Sequence, residues 1–424
     1  MRLFKTYILL FSVCLVAMLI VHCIPRDRIA DNSRTSVAFI HEQGRYPRQW
    51  GREWLRIDNF TDALMLNMAY CADADKPLDA ALSNVYYTDE QMDVFSRTEE
   101  VVLGNVVCGN DVPGEPIQGY YYPYARYWHG YQVFLRPLLV LTDYQGILRL
   151  NALCFYLILL FCLWTVGRRL SWAVAILFLL SLLLVALPVV PLCLQFSTCF
   201  YIAFLAVIAV LRWPSLTQDR MSACCTFFVT GGLTAYFDLL TTPMVTLGLP
   251  LTVCLLSHPA WQSKKYIVTL TSVWSGGYVL LWLSKCIVAQ WLTDYDIIGS
   301  FLRAAQIRSV AGTGTLLEPL TNAFGEATLI QVALVLACAA VLALMFFAIC
   351  CRWGWRSAAA RANAWLLLIA FLVPIWYVLT LQHSCVHYWF TWRSMAPMFF
   401  VLFLYIYRIT TYSHEQDSST HTML

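Results

Sequence analysis

MRLFKTYILLFSVCLVAMLIVHCIP, residues 1–25, decides the fold class. Two basic residues precede an apolar run from about Thr6 to Ile24, as in a signal peptide. The run is too long for the apolar part of a typical signal, and no small-x-small cleavage site follows it. It reads instead as an uncleaved first membrane helix, since about 20 apolar residues in a helix cross the hydrocarbon core of a bilayer.

The rest of the chain repeats this pattern. Of 424 residues, 60% are hydrophobic and 12% charged, roughly half the charged fraction of a soluble protein. The mean hydropathy is +0.63. Nine further apolar runs lie near 149–167, 171–189, 196–212, 221–240, 243–257, 267–291, 328–350, 364–381 and 395–409. Within lipid every backbone polar group needs an internal partner, so such runs are helices. The expected fold is an all-α polytopic membrane protein with about ten transmembrane helices.

Lysine and arginine bias sets the orientation. With a cytoplasmic N-terminus, the inner connections hold Arg2, Lys5, Arg168, Arg169, Arg212, Arg220, Lys264, Lys265, Arg352, Arg356, Arg361 and Arg408. The short outer connections hold only Arg303, Arg308 and Arg393. Twelve against three places both termini inside, in a plasma-membrane protein with its outer side extracytoplasmic. The expected organisation is a first helix (1–24), an extracytoplasmic layer (25–148), a bundle of about nine helices (149–409) and a cytoplasmic tail (410–424). The net charge of +3 is too slight to suggest a nucleic-acid partner. Most of the sixteen cysteines lie in apolar runs, where they act as small hydrophobes. Cys71 and Cys108 share the outer segment, and an oxidising compartment would favour a disulfide between them.

The stretch from Pro25 to Arg149 carries seventeen acids against twelve bases. In WGREWLRIDNFTDALMLNMAYCADADK, residues 50–76, apolar positions recur at helical spacing. Asp58 and Asp62 stand four apart on that pattern, so on a helix they share a face. Neighbouring carboxylates raise each other's pKa, which suits a general base or a cation site. The structural alternative is that Asp58 or Asn59 caps the helix that carries Leu64 onward. Asp73 and Asp75 form a bare acid-x-acid triplet that would suit a divalent cation, and Asn59-Phe60-Thr61 is a glycosylation sequon. YYYPYARYWHGYQVFLRPLLVLTDYQ, residues 120–145, reads as an interfacial aromatic helix. On it Arg126, His129 and Arg136 are candidate ligands for a phosphate headgroup.

Polar residues within spans are functional candidates by default. Asp238 is the only acid, and Lys285 the only lysine, within an apolar run, each near an outer end. The last outer connection, QHSCVHYWFTWRSMAP (382–397), places His383 and His387 four apart with Arg393 nearby. The glutamate of a zinc-type HExxH is missing, so phosphate binding through charge-assisted contacts fits better than zinc.

Every strong candidate thus maps to one side of the membrane. This plan resembles the GT-C class of membrane glycosyltransferases, in the whole layout of the chain and without a diagnostic motif. The closest local match is the Asp58/Asp62 pair in the first outer loop. GT-C acids usually follow the first span more closely, and Asp27 and Asp31 compete on that ground. The resemblance implies transfer of a sugar from a polyprenyl-phosphate donor to an extracytoplasmic acceptor. It implies a loop carboxylate as base, Arg303, Arg308, His383, His387 and Arg393 on the leaving phosphate, and no required cofactor beyond an optional divalent cation. Two alternatives stay open from sequence. One is a transporter or flippase using Asp238 and Lys285; the other is an acyltransferase using His129, His383 or His387.

Overall fold

The computed structural model describes residues 1–104, 119–309 and 364–421. Cys108, the expected span at 328–350 and the side chain of Arg308 lie outside the described residues.

The first helix, α1 (Arg2–His22), is long and apolar enough to cross a membrane. Leu10, Cys14, Met18 and Val21 form its buried stripe, at the three-to-four-residue spacing of one helix face. Its other side exposes Phe4, Ile8, Leu9, Val13, Val16 and Ile20, an apolar surface that water would penalise.

After α1 the chain builds the outer layer. Its elements are α2 (Ala30–Gln43), α3 (Asn59–Cys71), α4 (Pro77–Ser83), β1 (Val85–Thr88), α5 (Val94–Leu103), β2 (Tyr120–Pro123) and α6 (Gln132–Leu141). β1 and β2 pair antiparallel, with Tyr86 opposite Tyr122 and Tyr87 opposite Tyr121. The layer has its own apolar core, including Ile29, Val37, Leu66, Phe95, Val102 and Leu139.

The bundle follows: α7 (Tyr144–Arg169), α8 (Trp172–Leu183), α9 (Leu194–Arg212), α10 (Arg220–Phe237), α11 (Pro243–Ser257), α12 (Lys264–Leu292) and α13 (Ile297–Ser309). Beyond residue 363 come α14 (Leu367–Leu379), the short α15 (Leu381–Val386) and α16 (Tyr388–Thr391), and α17 (Ala396–His421). α9 and α11 are the central helices, and α11 is buried without a break from Pro243 to Leu255. Gly248 lets Pro397, at the start of α17, approach α11; a Cβ there would meet the proline ring at 2.4 Å.

Among the described residues, five segments are long and apolar enough to cross a membrane: Arg2–His22, Tyr144–Arg169, Leu194–Arg212, Lys264–Leu292 and Tyr388–Arg408. α8, α11 and α14 are apolar but span only about 18–22 Å at 1.5 Å per residue. The expected span at 171–189 is in fact α8, a break after Leu184, and a 3-10 turn over Leu187–Leu192 containing two prolines. The expected cytoplasmic tail continues α17 as helix to His421.

Two expectations for the layer need correction. The helix anticipated through 50–76 begins only at Asn59. Trp50, at φ 49°, lies in a 3-10 turn outside the right-handed helical region. The aromatic stretch is strand β2, a loop and the short α6, so Arg126 and His129 sit on a loop and not on an interfacial helix.

Candidate functional site

Asp58 is the N-cap of α3: its Oδ1 accepts from the Thr61 backbone N–H at 3.1 Å and its Oδ2 from the Thr61 hydroxyl at 2.7 Å. It therefore does not share a helix face with Asp62 as the spacing suggested. Asp62, one turn on, points away from its own helix. Its carboxylate accepts from the Tyr144 hydroxyl and from the backbone N–H groups of Leu194 (3.0 Å) and Gln195 (3.3 Å). Those are the first two amides of α9, whose own N-cap residue, Cys193, makes no side-chain cap. Asp62 thus supplies across the fold the anionic cap that a helix start favours. Burial pushes Asp58 up to about 7 against the donors on Thr61, and Asp62 up to about 6 against its three donors.

The start of α9 is also where the last outer connection arrives. Tyr46 packs on Trp389 (ring centroids 5.0 Å) and the Arg56 guanidinium lies 5.3 Å from the same indole. The first-loop and last-loop segments therefore meet. The Cys193 Sγ lies 3.7 Å from the Asp58 carbonyl oxygen. Three residues along α9, Phe196 carries the Arg393 guanidinium 4.5 Å from its ring centre. One turn beyond Phe196, Cys199 lies beside the Asp238 carboxylate and Thr242. Positions 196 and 199 share a helix face, so Arg393 and Asp238 flank neighbouring points on α9.

Arg393 is fully buried in the 3-10 turn Trp392–Met395. Its Nη1 donates to the Trp389 carbonyl at 3.2 Å, while Nε and Nη2 have no hydrogen-bond partner. Among the described residues no carboxylate pairs with it. Asp238 ends α10; its Oδ1 accepts from the Thr241 backbone N–H at 2.8 Å and its Oδ2 is unpartnered. The hydroxyls of Thr241, Thr242 and Ser394 are also buried and unpartnered. Leu240, between Asp238 and α11, has φ +64°, a left-handed conformation that costs a branched residue energy. Its carbonyl accepts from His383 Nε2 at 3.1 Å. His383 and His387 stand with ring centroids 4.7 Å apart, but the helix breaks at His387, which stacks on Phe390.

Each unpartnered buried polar group costs about 1–3 kcal/mol, and a charged one more. Among the described residues, unmet N–H donors on Arg393 and an unmet carboxylate oxygen on Asp238 lie close to the same turns of α9. Sequence reasoning missed Thr241, Thr242 and Ser394. Threonines before a proline read only as a helix start, and a lone serine carries no signal.

The other candidates lie elsewhere. Arg136 is fully buried, and its Nε, Nη1 and Nη2 donate to the carbonyls of Val21, Ala69 and Ile24. Those carbonyls belong to the C-terminal ends of α1 and α3, where a cation answers the helix dipoles. It holds helix ends, not a phosphate. Lys285 donates to the carbonyls of Ala125 and Tyr127, and Trp128 Nε1 donates to the Leu281 carbonyl at 2.9 Å. Together they clamp the 125–128 loop onto α12. His129 donates from Nε2 to the Tyr124 carbonyl at 2.8 Å, leaving Nδ1 to accept from the Tyr131 hydroxyl at 3.0 Å. Burial holds its pKa well below the usual range, so it is neutral and suited to packing rather than to an anion. The Arg126 guanidinium lies over Tyr124, 4.3 Å from the ring centre.

Arg303 forms an exposed pair with Asp296 at 3.3 Å, of a kind worth little. Asp73 and Asp75 are exposed and locked in a local turn, Asp75 N–H to Asp73 Oδ1 at 3.0 Å. Among the described residues, no group of three or more His, Cys, Asp or Glu side chains is placed to hold a metal ion.

Against family models, curated proteins and solved structures, the chain finds no match.

Proposed function

We propose that the chain is a polytopic membrane transferase of about ten spans that moves a sugar from a lipid-linked phosphate donor to an extracytoplasmic acceptor. One observation carries this reading: Arg393 is a buried cation whose Nε and Nη2 donors have no hydrogen-bond partner among the described residues. A phosphate oxygen pair is the ligand such a fork matches best. In the reaction, the acceptor hydroxyl oxygen attacks the anomeric carbon and the bond from that carbon to the phosphate oxygen breaks. The hydroxyl proton goes to a carboxylate and the electron pair leaves on the phosphate, where Arg393 meets the growing charge.

Asp58, the base expected from the sequence, has both oxygens engaged by Thr61. The unpartnered Oδ2 belongs to Asp238, so Asp238 takes the base role in this proposal. Asp58 and Asp62 become positioning residues that fix α9. Since a transporter would also need Asp238, its loss does not separate the two readings; the product does.

The test uses purified full-length protein, a labelled polyprenyl-phosphate sugar and a hydroxyl acceptor. Release of polyprenyl phosphate by wild type, and its loss in Arg393→Ala and Asp238→Asn, supports transfer. Movement of intact donor across a vesicle membrane without cleavage would replace transfer by transport.

A further inference from the structure

A second feature, on another face of α9, is independent of the transferase reading. A groove of about 880 Å³ runs between α7 and α9 on one side and α10 on the other. Its α9 wall extends from Leu194 to Ala209 and its α10 wall from Phe237 back to Ser222. Fifteen residues at 1.5 Å each make it about 22 Å long, most of the hydrocarbon thickness.

The two ends differ. At one end Phe134 and Phe237 stack, with ring centroids 5.5 Å apart. At the other stands Arg2, the only charged side chain lining the groove among the described residues, with the hydroxyl residues Ser215 and Ser222. Arg2 Nη1 donates to Ser222 Oγ at 3.5 Å and lies 4.0 Å from Asp219, with 60% of its side chain exposed. Asp219 is itself engaged by the amides of Met221 and Ser222 at the start of α10, so it neutralises Arg2 only weakly.

The walls are predominantly apolar along the whole groove and, among the described residues, only one end carries a charge, which suits extended hydrocarbon chains with a single headgroup. We propose that the groove holds one anionic phospholipid, its phosphate at Arg2 and its chains running toward Phe134 and Phe237. Apolar walls, one cationic end and one aromatic end match a lipid molecule end for end.

Native mass spectrometry of the full-length protein, titrated with phosphatidylglycerol or with phosphatidylcholine of the same chains, tests this. Wild type is expected to retain one lipid and to prefer phosphatidylglycerol about five-fold, the scale of one basic side chain at a headgroup. Arg2→Gln should abolish the preference and keep retention. Val229→Trp, which fills the groove from the α10 side, should lower retention at least several-fold. Ala206→Phe on the opposite wall serves the same end if the tryptophan variant elutes as aggregate. Equal retention of both lipids by wild type, or undiminished retention with the groove filled, overturns the proposal. So does a spectrum of lipid-free dimers, which would assign the groove to a second copy.

Discussion

Arg136 and Arg393 are both fully buried in a chain dominated by apolar residues, yet their surroundings are opposites. Around Arg136 every nitrogen finds a carbonyl, contributed by the ends of two helices. Around Arg393 two of three nitrogens find nothing. Burial of a charge alone therefore does not mark a functional site here; the count of satisfied donors does. The first arginine is a structural cation, and the role proposed for the second is to meet an anion.

That contrast can be broken most directly at Arg136. Arg136→Met removes the side-chain donor to the carbonyls of Val21, Ala69 and Ile24, of which Val21 keeps the Ile24 N–H. It is expected to cost about 1–3 kcal/mol for each carbonyl left unsatisfied, read as loss of monodisperse protein or a steep drop in melting temperature. At Arg393 the expectation reverses. Arg393→Met should leave stability unchanged or raised, because an isosteric apolar residue removes an unpaired buried charge. Transfer activity should fall about 10²–10³-fold, the usual scale for losing one transition-state donor. Equal destabilisation by both variants would erase the distinction.

A smaller effect belongs to Asp62. Asp62→Ala removes the cap of α9 and is expected to cost about 1–2 kcal/mol, seen as faster amide exchange at the start of α9. Unchanged exchange there would deny the cap its role. The smallest is a pH slope. Asp58 and Asp62 have folded pKa values raised above the unfolded ones. The folded protein then binds more protons between about pH 4 and 7, and stability declines as pH rises through that window. Melting temperatures should therefore climb on acidification from pH 7 to 5, and less so in Asp58→Asn. An equal slope in that variant would remove Asp58 from the account.

Much of the bundle is legible in the sequence because apolar runs leave the chain few choices in lipid. The runs at 149–167, 196–212 and 267–291 correspond to α7, α9 and α12. The Pro188–Pro191 interruption shows why length alone overstated the span at 171–189. The antiparallel β1–β2 pair is not evident from the sequence, although Val85-Tyr86-Tyr87-Thr88 and Tyr120-Tyr121-Tyr122 have strand-forming residues, because α5 separates the two strands and the tyrosines also fit a membrane interface.

The site was legible in part. Arg393 and Asp238 stood out as polar residues among apolar ones. That Arg136 and Lys285 were already partnered was not visible, because their partners are backbone carbonyls. A carbonyl has no letter in the sequence, and those of Val21 and Ala125 lie 115 and 160 residues from the cations they meet.

The Asp62 cap also bears on how the protein is made. The carboxylate that completes α9 belongs to a residue translated 132 positions before Leu194. Chains fold progressively from the N-terminus during synthesis, so the layer that carries Asp62 is made before α9 emerges. Its amide partners then arrive at a receptor already in place. The layer formed by α2 to α6 thus acts as a jig for seating the central helix, and its defects would surface as a misplaced α9 rather than as a damaged loop.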